Sequence, residues 1–139
     1  EAERMEWLIG KRSLRPFHLL NGADRLLRQV WHHPGIGCIS GIASAVPELF
    51  LAYRAAMSGA RQAESARLGD YVSEFCNWFD EFPDAIAVKT AVASRRRLAI
   101  PHAIPLSFER QQKLVDFQGW FESWLPVVLE ASTAVSASG

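Results

Sequence analysis

The side chains that could do chemistry are few. There are four histidines, His18, His32, His33 and His102, and none has a Glu or Cys at metal-ligand spacing. His32-His33 reads as a solvated or capping pair at a helix-to-strand turn, and His18 as a polar group inside a strand. Ser40 and Ser44 fall near a strand end, but neither has a nucleophile elbow or an adjacent base. The lysines are Lys11, Lys89 and Lys113. All three fall in helical pattern and none at the carboxyl end of a strand, where a barrel would hold a Schiff-base lysine. The two cysteines, Cys38 and Cys76, sit in an apolar strand and an aromatic-rich helix and read as buried small residues. That count and spacing argues against a disulfide framework or a zinc site. No metal and no cofactor is expected. What remains is Gly22 and Gly41, each at the mouth of a strand. A glycine there allows backbone to approach a ligand closely, and it serves a tight turn equally well.

The elements that must position these residues start with Phe17-His18-Leu19-Leu20-Asn21-Gly22-Ala23-Asp24. Pro16 and Asn21-Gly22 bound a short apolar run whose length suits a strand buried on both faces. Leu26, Leu27 and Val30 follow at helical spacing, with Asp24 as N-cap. Ile36 to Ile39 forms a second strand, ending in Ser40-Gly41. Parallel neighbours need a helical crossover, and residues 24–31 supply one. Two strand–loop–helix units in succession look like the last two units of a parallel α/β barrel, in which chemistry sits on the loops after the strands. Gly35-Ile36-Gly37 precedes its strand, so it is not a dinucleotide fingerprint.

The remaining pattern is helical. Glu3 to Lys11 precedes the first strand. Pro47-Glu48 opens a helix that Ser58-Gly59 ends. Helices are expected over residues 60–80, 84–98 and from Phe108 to about Leu129, with an extended Pro101/Pro105 connection and a small, polar, frayed tail from Ala131 to Gly139. Arg95-Arg96-Arg97 reads as a solvated helix end.

The chain has 139 residues, a formal net charge of +0, 49% hydrophobic and 22% charged residues. Balanced charge gives no argument for nucleic acid or an anionic membrane, and no apolar run is long enough to span a bilayer. The expected location is the cytoplasm. A complete (β/α)8 barrel needs roughly 250 residues, so the barrel reading expects an upstream part, in keeping with Glu1 as first residue and a helical pattern that begins at once.

These residues resemble the dihydrodipicolinate synthase / N-acetylneuraminate lyase family. Leu19-Leu20-Asn21-Gly22-Ala23-Asp24 resembles its "v-l-s-G-d-D" segment after the seventh strand. Residues 35–44 resemble its "G-a-x-G-v-I-S-x-x-A-N" eighth strand. Pro47, Ala55 to Gly59 and Ala63 to Leu68 look like the stretch that follows. Val88-Lys89-Thr90-Ala91 and Pro101 to Ser107 look like its "v-K-x-a-l" helix and "R-x-P-x-x-p-l-s" connection. Order and spacing match over most of the chain. Asn21 departs from the usual Ser, Ser44 from a frequent Asn, and Gly41 from Val or Ser, which widens the pocket.

The resemblance implies an α/β fold class: the C-terminal part of a TIM (β/α)8 barrel, its last two strands with their helices, followed by a C-terminal helical domain. The piece itself would be mostly α-helical. Residues 1–58 would be the last barrel units, 59–130 the helical domain and 131–139 a flexible tail. The resemblance also implies a lysine Schiff-base lyase or synthase acting on pyruvate or another 2-oxo acid, working as a homo-oligomer, dimer or tetramer. Family members use a lysine on the sixth strand and a tyrosine from the fifth, both expected upstream of Glu1, so no catalytic residue is expected here and the piece alone would be inactive. Gly22 and Ile39 match positions that line the 2-oxo-acid pocket. Asp24 and Gly41 match positions that contact the distal part of the substrate in some members. Arg25 reads as a surface helix residue or a partner for a substrate carboxylate. The competing reading is a non-catalytic helical interaction module that presents Trp78, Phe79, Phe82, Trp120, Phe121 and Trp124.

Overall fold

The computed structural model describes residues 2–83, 85–99 and 105–137. The chain is mostly helical, with two short parallel strands. Helix α1 (Ala2–Lys11) leads into β1 (Leu19–Asn21). A 3-10 turn (Asp24–Leu26) and α2 (Leu27–Val30) carry the chain back to β2 (Ile36–Cys38). Then follow α3 (Ile42–Ala45), α4 (Pro47–Ser58), α5 (Gln62–Phe79), α6 (Ile86–Arg96) and α7 (Phe108–Ala137). Among the described residues, no helix is long and apolar enough to cross a membrane. His102, Pro101 and the extended connection expected around them lie outside the described residues, apart from residues 99 and 105–107.

The strands pair in parallel register, Leu19 opposite Ile36 and Asn21 opposite Cys38, and the Ile39 amide continues the ladder to the Asn21 carbonyl at 2.9 Å. Alternation then sorts the side chains. Leu19, Asn21 and Ile36 are buried against the helices, whereas Leu20 is 55% and Ile39 68% exposed on the opposite face. The strands are therefore covered on one face, not on both. Leu20 lies across Gly37 on the open face, where a Cβ at Gly37 would meet its Cδ2 at 2.6 Å. His18 precedes β1 and is exposed, so it is not a strand-interior group.

Helix α4 is the hub. Pro47 in its first turn fixes φ, Glu48 suits the positive end, and its buried side carries Leu49, Phe50, Ala52, Tyr53 and Ala56. It packs on both α5 and α7, while α6 packs on α3 and α7. The centre of the helical part is aromatic: Phe75 meets Phe117, Trp120, Phe121 and Trp124 at centroid distances of 5.8–6.0 Å, mostly edge to face. Phe82, Phe121 and Trp124 are buried, and Trp78, Phe79 and Trp120 half-buried against the same core. That burial takes most of this aromatic area out of any outward-facing surface.

Helix α4 ends at Ser58 with Gly59 as its C-cap, as expected, and the left-handed residue that follows is Ala60 (φ 52°). One helix end differs from expectation. The small residues after 130 are not frayed through residue 137: α7 runs to Ala137, with Ala131, Ser132 and Val135 buried and the Val135 carbonyl accepting a hydrogen bond from Arg61 at 2.9 Å. Alanine's helix propensity and that apolar stripe outweigh the polar composition.

Candidate functional site

The loops at the carboxyl ends of β1 and β2 open onto one cleft of about 390 Å³. Gly22, Ala23, Asp24 and Arg25 line it from the first loop, Gly41 and Ile42 from the second, and Cys76, Phe79 and Asp80 from the end of α5. Three of the four expected site residues, Gly22, Asp24 and Gly41, thus share one space. Ile39 does not join them, because its position in the pleat turns it to the open face.

The first loop is shaped by Asn21, buried to 1% exposure. Its Oδ1 accepts the Ala23 amide at 3.1 Å and its Nδ2 donates to the Ala23 carbonyl at 2.7 Å. An amide side chain offers both a donor and an acceptor of fixed geometry, so it grips both backbone groups of Ala23 and fixes the loop beside Gly22. Asn21 therefore has a local structural role in this loop.

The second loop is organised by Ser40. Its Oγ accepts the Ala43 amide at 3.0 Å, satisfying an orphan donor of α3. Ser40 and the Ile42 amide also face the Asp24 carboxyl, and their polar influence favours its charged form. Burial dominates at Asp24 and raises its pKa above the ordinary 3.8, and these polar neighbours pull against it. Asp24 caps no helix: the 3-10 turn starts after Ala23 without a side-chain cap.

The thiols near the cleft are not nucleophiles at neutral pH. Burial, then the neighbouring Asp24 charge, pushes Cys76 up to about 11, and the same two causes raise Cys38. Cys38 is half-buried, less covered than the sequence suggested. No lysine lines the cleft. Lys113 pairs with Glu81, Lys11 lies over the Trp7 ring and Lys89 is exposed on α6. Among the described residues, no group of three or more His, Cys, Asp or Glu could hold a metal ion. The lining can accept hydrogen bonds and exclude bulk, but it offers no attacking group.

The glycines fit that picture. The positive-φ glycine among the described residues is Gly35, not Gly22 or Gly41. A Cβ at Gly22 would meet nothing within 4 Å, and one at Gly41 only ordinary contacts with Val88 and Phe79. Neither backbone conformation nor packing within the chain demands glycine at either position.

Arg25 is an exposed surface residue, as one of its two expected readings has it, and it is paired there. Its guanidinium donates to Asn77 Oδ1 at 3.2 and 3.3 Å and to Asp80 Oδ2 at 2.5 Å. The contributions of α5 were not legible as site residues, because Phe79 falls in the helix's apolar spacing and reads as core. Comparison with family models, curated proteins and solved structures found no match for this chain.

Proposed function

We propose that this chain is the C-terminal portion of a TIM-barrel lyase or synthase that forms a lysine Schiff base with pyruvate or another 2-oxo acid, and that it supplies one wall of the substrate pocket. The observation that carries the reading is the convergence of Gly22, Asp24 and Gly41 on one cleft at the carboxyl ends of two adjacent parallel strands. In parallel α/β barrels that end is where ligands react. Two strands do not make a stable sheet by themselves. The open face of Leu20 and Ile39 then belongs against further strands of the barrel, and the glycines leave room for a ligand that the chain's own packing does not fill.

In this reading a lysine from the preceding strand adds to the C2 carbonyl of the oxo acid and water leaves. The protonated imine draws electrons from the adjacent carbon, so a C–C or C–O bond can break or form through the enamine. The chain's own residues orient: Asp24 meets the distal end of the substrate, and Ser40 shapes the second loop beside it. Helices α5 to α7 form the C-terminal domain and contribute to packing in a cytoplasmic homo-oligomer.

The test is borohydride trapping of the complete protein with pyruvate. Hydride reduces the C=N bond and fixes a stable adduct on one lysine, read by mass spectrometry. A complete protein that shows no lysine adduct removes the proposal.

A further inference from the structure

The α5 side of the cleft carries nothing that Schiff-base chemistry requires, yet it is built into the cleft by specific contacts. Phe79 Cε2 would lie 3.9 Å from a Cβ placed on Gly41, an ordinary contact distance, so the ring edge borders the strand mouth where both line the cleft. A methyl group fits there and a longer side chain meets the ring. Phe79 is only half-buried, and among the described residues the ring pairs of the core join Phe75, Trp78, Phe82, Phe117, Trp120, Phe121 and Trp124 without it.

The position of this wall is set by the neighbour of Asp24. Arg25 reaches across and holds Asn77 and Asp80 together, two residues three apart that share one face of the last turn of α5. The same short loop therefore presents the Asp24 carboxyl to the cleft and fixes the distance to the opposing ring.

We infer that the last turn of α5 is the specificity wall of the site: Phe79 selects by size at the distal end of the substrate, admitting linear and excluding aromatic or branched groups, and Arg25 is a positioning residue that holds the wall. The inference rests on the Schiff-base reading above, and its test separates the two.

The complete protein is assayed for condensation of pyruvate with a linear aldehyde, such as propanal, and with benzaldehyde, alongside borohydride trapping with pyruvate alone. Phe79→Ala is expected to raise the benzaldehyde-to-propanal ratio of kcat/KM about tenfold, the scale of discrimination a hydrophobic pocket commands. Phe79→Leu should give an intermediate value. Gly41→Val should lower the ratio, and Phe79→Ala in the same chain should recover it. Arg25→Ala should shift the ratio in the direction of Phe79→Ala by about threefold, the scale of an exposed ion pair. The exchanged pair Arg25→Asp with Asp80→Arg should restore it. The adduct in each variant shows that the site has folded. Adducts in wild type and in Phe79→Leu with an unchanged ratio overturn the wall alone. A wild-type protein without an adduct overturns the Schiff-base reading and the wall with it.

Discussion

Gly22 and Gly41 are glycines that the chain's own structure does not require. Replacing a glycine whose φ/ψ suits other residues stabilises a protein by about 0.4–1 kcal/mol, mainly by restricting the unfolded chain. Gly22→Ala and Gly41→Ala are therefore expected to leave urea-unfolding midpoints unchanged or raised. Gly35→Ala is the contrast: at φ +71° its new Cβ would sit 2.7 Å from Arg12 Nη2, and the midpoint should fall. A fall for Gly22→Ala equal to that for Gly35→Ala would give Gly22 a structural reason and weaken its assignment to ligand space. At this scale the sequence shows the glycine after each strand, because a short apolar run ending in glycine is a local signal. It does not show Asn21 as the loop's clamp, since an Asn-Gly pair reads equally as a turn tip. Nor does it show the α5 residues of the cleft, whose proximity to both loops comes from tertiary packing between segments far apart in the chain.

Between elements, Glu48 and Arg95 make the best-formed ionic link. The two guanidinium nitrogens meet the two carboxylate oxygens at 3.0 and 2.8 Å, and one of them also donates to the Ala45 carbonyl at 2.6 Å. This bidentate fork ties α4 and the end of α3 to the last turn of α6. Hydrogen bonding to Arg95 holds the Glu48 pKa below its ordinary 4.5. A depressed carboxylate contributes stability that is fully present above the unfolded value and is lost as pH falls through the folded one. Glu48 is 43% exposed at its side chain, so the link is discounted for solvent screening. Glu48→Gln should cost about 0.5–1 kcal/mol at pH 7, and the gap from wild type should begin to close as pH falls below the ordinary 4.5. A gap that persists unchanged at pH 3 in denaturant titrations would show that the loss comes from packing instead of charge. The same pairing shows what sequence conveys about elements. Pro47-Glu48 marked the start of α4 and the basic run marked the end of α6, each by local chemistry. That Glu48 finds Arg95, 47 positions away, depends on how α3 and α4 fold back on α6. The length of α7 was hidden for a related reason: residues 131–137 look like a polar tail until Val135 is seen packed and Arg61 reaches its carbonyl.

At the scale of the whole molecule, the uncovered face of the sheet separates the two readings of what the chain is. Leu20 and Ile39 project together from the face away from the helices, and each strand has a neighbour on one side only. In the barrel reading that face is interior and the free edges pair with other strands, so the present exposure is not the state in the complete protein. In the reading of a self-contained helical module, the same face is surface. Leu20→Glu with Ile39→Glu distinguishes them. In residues 1–139 expressed alone, the pair should raise the soluble fraction and reduce binding of a hydrophobic dye, because it breaks up an exposed apolar patch. In the complete protein the same pair should abolish folding, because unpaired carboxylates in a barrel interior cost several kcal/mol each. A complete protein that keeps its stability to within about 0.5 kcal/mol, the range of ordinary surface substitutions, places the face in solvent and takes the barrel away. The cleft would then remain a groove between a two-stranded ribbon and α5, with Gly22, Asp24 and Gly41 along it. The Schiff-base reading would fall with the barrel, because its lysine is expected from a neighbouring strand.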